Sequence, residues 1–165
     1  MEAYSAEGWG TFLSAAAGAT ATLTGLVFVG VSINLQRILA SPLLADRALE
    51  ALALLLAPLI ASMLGLVPAQ PSTLLGAELL VVGLAVWALT VALQARAFPT
   101  LAPELRHQFV QRVGLGQAAT LPLVLAGLTL LLQAGGGLYW LAPGLIFASV
   151  AGVLDAWVLL VEILR

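Results

Sequence analysis

The chain has 165 residues, of which 62% are hydrophobic and 8% charged, and its mean hydropathy is +1.10. Soluble domains carry about 25% charged residues, so most of this surface is not built for water. A net charge of −2 leaves no basic footprint for a nucleic-acid partner. The absence of cysteine excludes disulfides, thiol catalysis and thiolate metal sites, and the absence of lysine excludes a Schiff-base or P-loop lysine.

About 20 apolar residues cross a bilayer as a helix, and the charge-free runs can be measured against that length. Residues 8–36 hold no charge and predict a first span near residues 9–35. Ser41-Pro42 is a helix-start signal, an N-cap type followed by proline at the first helical position. Residues 51–77 are charge-free and predict a second span near 49–67. Pro68, Gln70, Pro71 and Ser72 form a turn, after which a third span is expected near 73–95. In "LAPELRHQFVQRV", Leu101, Leu105, Phe109 and Val113 recur every fourth residue, which predicts a short amphipathic helix on the membrane surface near 101–112. Residues 113–154 are charge-free and too long for one span. The glycines at 135–137 divide them into a fourth span near 113–133 and a fifth near 138–164. The expectation is a single all-α domain, residues 1–165, a bundle of five transmembrane helices.

Arginine placement predicts the direction of insertion. Arg37 and Arg47 fall in the first connection, Arg96, Arg106 and Arg112 in or beside the third, and Arg165 at the end. With five spans these segments share one side, and basic loops stay in the cytoplasm. The N-terminus is then outside and the C-terminus inside. The start of the chain has neither a positive n-region nor a small-residue cleavage site, so the first span reads as an anchor and not a removable signal peptide. Tyr4, Trp9, Tyr139 and Trp140 fit an aromatic belt at the outer interface.

Helices in membranes associate through small residues and hydrogen bonds. On the fifth span Gly144, Ala148 and Gly152 are spaced by four, and Asp155 and Glu162 continue the stripe. That face is expected to point into protein, with Val158 and Leu159 mattering less. The first span carries a stripe of Ser14, Gly18, Ala21 or Thr22, Gly25 and Ser32, with Thr20 and Thr24 beside it. Its hydroxyls are expected to bond back to their own helix carbonyls. A polar pathway is the competing reading. Pro58, Pro122 and Pro143 are expected to kink helices, which membrane spans tolerate.

Few residues carry chemistry. Glu78 near the start of the third span and Glu162 near the end of the fifth read as interfacial carboxylates, Glu162 as an ion-pair partner of a nearby arginine such as Arg165. His107 is the single histidine, and without further His or Cys ligands no metal site is expected. The glycines at 135–137 read as a turn and not a phosphate cradle. Asp155 lies deepest, roughly 13 Å from the helix end at 1.5 Å per residue, where an ionised aspartate costs about 3 kcal/mol. Asn34, Ser32 and Gln117 are the polar side chains expected at its depth, and Arg37 or Arg112 could extend inward. Asp155 is then either interhelical glue or a protonatable group on a conduction path.

The stretch "GATATLTGLVFVGVSINLQRIL", followed by a second apolar hairpin, resembles small multi-spanning proteins of bacterial inner membranes. Some of these are labelled modulators of a membrane-anchored AAA protease. That resemblance carries no catalytic motif and transfers no functional residue; the small-residue faces and the short loops, which leave no room for a soluble active site, predict a non-enzymatic accessory protein. The expectation is an inner-membrane protein without cofactor, surrounded by lipid. It would act through helix contacts with a second copy or another membrane protein, without nucleic acid. The competing expectation is a small oligomeric ion or proton channel or transporter with Asp155 in its path.

Overall fold

The computed structural model of the chain describes residues 2–100 and 106–164. Every regular element among them is helical: α1 (Gly10–Ile33), α2 (Leu35–Leu39), α3 (Pro42–Gly65), α4 (Ser72–Ala97), α5 (Arg106–Leu132) and α6 (Leu141–Leu164), with short 3-10 turns between. Five helices are long and apolar enough to cross a membrane, and the chain is a multi-pass membrane protein. The packing is a closed ring, α3 against α4, α4 against α5, α5 against α6 and α6 back against α3, with α1 laid outside on α3 and, more lightly, on α6. The two ends of the bundle differ. One gathers Arg37, Arg47, Arg96 and Arg112; the other holds the glycine turn between α5 and α6.

Two helix boundaries differ from the sequence reading, and both differences matter. The second span starts at Pro42, where the Ser41-Pro42 signal marks it, ahead of the bounds expected near 49–67. Ser41 is extended and makes no side-chain cap bond, and its carbonyl accepts from the N–H groups of Leu44 and Ala45. Arg47 and Glu50 therefore lie inside a transmembrane helix. The amphipathic helix expected near 101–112 is not separate. Residues 106–112 are the first turns of α5, which runs unbroken to Leu132, and Leu101, Glu104 and Leu105 lie outside the described residues. No helix breaker stands between Arg106 and Val113 to end one helix and start another.

Close backbone approach holds the ring together. α4 and α5 make its most extensive contact, and bare glycines allow it. A Cβ on Gly127 would sit 2.6 Å from the Leu80 Cα, one on Gly76 2.8 Å from the Leu131 N, and one on Gly83 2.9 Å from the Val124 N. On α6, Gly144, Ala148 and Gly152 are buried. A Cβ at Gly152 would meet Leu55 Cγ at 2.7 Å, and one at Gly144 would meet Leu123 Cδ2 at 3.0 Å. Leu159, expected to matter little, is buried beside Ile38 and Ala48, where α2 packs on α3. Val158 is exposed.

The far end is tied by aromatic rings and a left-handed turn. Gln133, Gly135, Gly136 and Gly137 all have positive φ (51°, 89°, 115° and 54°), a run that glycine tolerates at little cost. Tyr4 Oη accepts from the Gly136 N–H at 3.2 Å, Trp140 Nε1 donates to the Gly135 carbonyl at 2.8 Å, and Trp9 stacks edge-on against Tyr139. α3 and α5 both continue through their internal prolines, Pro58 and Pro122.

Candidate functional site

Each helix of the ring contributes one polar side chain to a single interior layer: Glu50 from α3, Gln94 from α4, Arg112 from α5 and Asp155 from α6. Glu50 is 0% exposed, Gln94 4% and Asp155 8%. Helical periodicity explains the convergence. Glu50 lies on the buried face of α3 with Ala51, Leu54 and Ala57, Gln94 on that of α4 with Thr90 and Leu93, and Asp155 one turn from Gly152.

The hydrogen bonding is directional. Gln94 Nε2 donates to Glu50 Oε1 at 2.7 Å, and Arg112 Nη2 donates to Glu50 Oε2. The same guanidinium faces Asp155, with its Nε 3.3 Å from Oδ1. That Nε is buried without a hydrogen bond, so the second contact is an ion pair of looser geometry than the first. Gly116, one turn along α5 from Arg112, makes room for Gln94; a Cβ there would lie 2.9 Å from Gln94 Nε2. Three turns of α3 thus place Glu50 under two donors, while Asp155 shares one. On the same face of α3, Arg47 pairs with Glu162 at 3.4 Å, an ion pair of the kind expected for Glu162; Arg165, named as a partner from the sequence, lies outside the described residues. A buried ion pair is costly to desolvate and is retained when every charge finds a partner. Here one guanidinium serves two carboxylates.

The remaining candidates lie elsewhere. Asn34 Nδ2 donates to the Gly30 carbonyl at 2.9 Å and Ser32 Oγ to the Phe28 carbonyl at 2.8 Å, both within α1. Gln117 Oε1 accepts from Trp87 Nε1 at 2.9 Å. The structure brings none of the three to Asp155, because local back-bonding and a lipid-facing tryptophan engage them first. Thr20, Thr22 and Thr24 each donate to a carbonyl four residues back, so the hydroxyls of α1 are occupied by their own helix. Gly18 and Gly25 are exposed, and a Cβ on either would meet nothing within 4 Å. Glu78 accepts from Gln70 Nε2 at 2.5 Å at the glycine end. His107 is exposed and lies 3.0 Å from Gln111 Nε2. Among the described residues no three His, Cys, Asp or Glu side chains gather in a way that could hold a metal ion.

Arg112 was one of two arginines expected to extend inward toward Asp155, and it does; Glu50, the centre of the layer, was not among the sequence candidates for a site. A signal existed: the Ser41-Pro42 start puts Glu50 in the third turn of a helix, at positions i−1 and i−4 from Ala51 and Leu54. Comparison of the chain with protein families, curated proteins and solved structures returns no match.

Proposed function

We propose that this chain is a non-enzymatic accessory or regulatory component of a membrane complex and acts through contacts between helices. The observation that carries this reading is the outer face of α1. Ser14, Gly18, Thr22, Gly25 and Ser32 run along it, exposed, with open space over both glycines. Small residues are what membrane helices use to approach one another closely, and a helix facing only lipid has no use for such a face. The resemblance of residues 18–39 to small bacterial membrane proteins labelled as protease modulators agrees with an accessory role. The test is purification in mild detergent with and without Gly18→Leu and Gly25→Leu. A Cβ at either position meets nothing within 4 Å, so bundle stability is expected to hold while a co-purifying protein or a higher oligomer is lost. Unchanged partners and oligomer size in both variants would remove the basis for this reading.

The setting proposed is a bacterial plasma membrane, with the N-terminus outside and the C-terminus in the cytoplasm. The support is the positive-inside rule, with Arg37, Arg47, Arg96, Arg106 and Arg112 all at one end of the spans. The chain has no cysteine, so single cysteines report without background. Ala134→Cys is expected to react with a membrane-impermeant maleimide on intact cells and His107→Cys only after lysis. The opposite pattern would invert the topology.

A further inference from the structure

The polar layer inside the ring has a charge count that its own side chains do not close. It contains two carboxylates and one guanidinium, with a carboxamide that adds no charge. The two carboxylates are not equivalent. Glu50 is sealed, and both of its oxygens accept, one from Gln94 and one from Arg112. Asp155 has the single 3.3 Å ion-pair contact to Arg112 Nε, and its side chain keeps 12% of its surface open. Glu50 is therefore committed, and Asp155 holds the unused lone pairs.

We propose that this four-helix layer is a binding site for one proton, carried on Asp155. A proton completes the charge count and also converts one Asp155 oxygen from acceptor to donor. A hard metal cation would need about six oxygen ligands, whereas both Glu50 oxygens are already taken and no acidic cluster of metal-holding size occurs among the described residues. The neighbouring charges are accounted for by element. On α3, Arg47 is engaged by Glu162 of α6 at 3.4 Å. α4 brings Gln94 to the layer, with Arg96 exposed beyond it. α5 brings Arg112. Arg37 lies exposed on α2, which packs on α3. The Arg47–Glu162 pair is neutral as a unit and leaves the excess on the layer. The site lies toward the arginine-bearing end, separate from the exposed face of α1, so it stands or falls independently of the accessory reading.

The sequence makes the test direct, because the chain has only two aspartates, Asp46 and Asp155. Protein labelled with 13C at the aspartate side-chain carboxyl gives two signals in lipid nanodiscs, assigned with Asp46→Asn. Asp46 is partly exposed near the start of α3. The expected result is that the Asp155 signal still reports a protonated carboxyl at a pH where free aspartate is ionised. Arg112→Lys, which keeps the charge and shortens the fork, should shift the Asp155 titration. Asp155 titrating with free aspartate, or losing its proton at lower pH, would overturn the proposal. Because the native carboxyl is observed, no outcome depends on whether an Asp155 variant folds.

Discussion

Arg112→Met is expected to be among the most damaging single changes in this chain. It removes the one guanidinium that two buried carboxylates share and leaves Glu50, 0% exposed, with only the Gln94 amide. Removing one partner of a buried pair costs about 3–5 kcal/mol, whereas replacing the whole group by apolar residues of similar volume is often neutral or better. The triple variant Arg112→Met, Glu50→Leu, Asp155→Leu is therefore expected to recover most of the loss. Glu50→Gln should cost less than Arg112→Met, since it keeps shape and an acceptor. Unfolding by SDS titration in mixed micelles reads all three. If Arg112→Met unfolds with wild type, the layer contributes nothing to holding the ring. If the triple variant is worse than Arg112→Met, stranded charge is not the source of the damage.

The second large effect is expected at Gly127. A Cβ there would lie 2.4 Å from the backbone N and 2.6 Å from the Cα of Leu80, and neither atom can swing aside as a side chain would. Overpacking a tight core costs about 1–3 kcal/mol and occasionally more. Gly127→Val, which adds two methyls beyond the Cβ, should sit at the upper end by parting α4 from α5. Gly114 on the same helix has nothing within 4 Å of its Cβ position. Gly114→Ala should be neutral or stabilising, since glycine inside a helix is disfavoured by about 0.5–1 kcal/mol. The same SDS titration compares the two. Equal behaviour of Gly127→Val and Gly114→Ala would mean that α4 and α5 do not meet as described.

The five spans were legible because a bilayer imposes a length that charge-free runs reveal. The same rule hid the centre of the candidate site. Using charge to mark where spans end places Glu50 just before the run 51–77 and Arg112 just before the run 113–154, so both read as boundary residues. The helices begin earlier, at Pro42 and Arg106, and carry both side chains inward. Asp155 was visible because it interrupts an apolar segment, but its partner could not be singled out: Arg112 was one of several side chains matching its depth, and Arg37, Asn34 and Gln117 match it without facing it. Depth follows from counting residues; azimuth depends on how helices rotate against one another, which one span does not encode by itself. Gly76 and Gly83 are a similar case. Seven residues apart on α4, they mark a contact face, yet the small residues of α1 and α6 were the more conspicuous stripes.

The position of α1 bears on the order in which this protein assembles. Leu13 and Thr20 are its only buried residues, with Leu13 seated over Gly65, whose Cβ position is 2.7 Å from Leu13 Cδ1. The four helices of the ring, α3 to α6, close on one another and enclose the polar layer without α1. α1 is made before the ring and is the span with least to hold it in place. It must wait in the lipid until Gly65, more than fifty residues later, presents the notch for Leu13. Its docking comes after α3 is in place, and, lying outside the ring, α1 is the span most readily traded from one bundle to a neighbour.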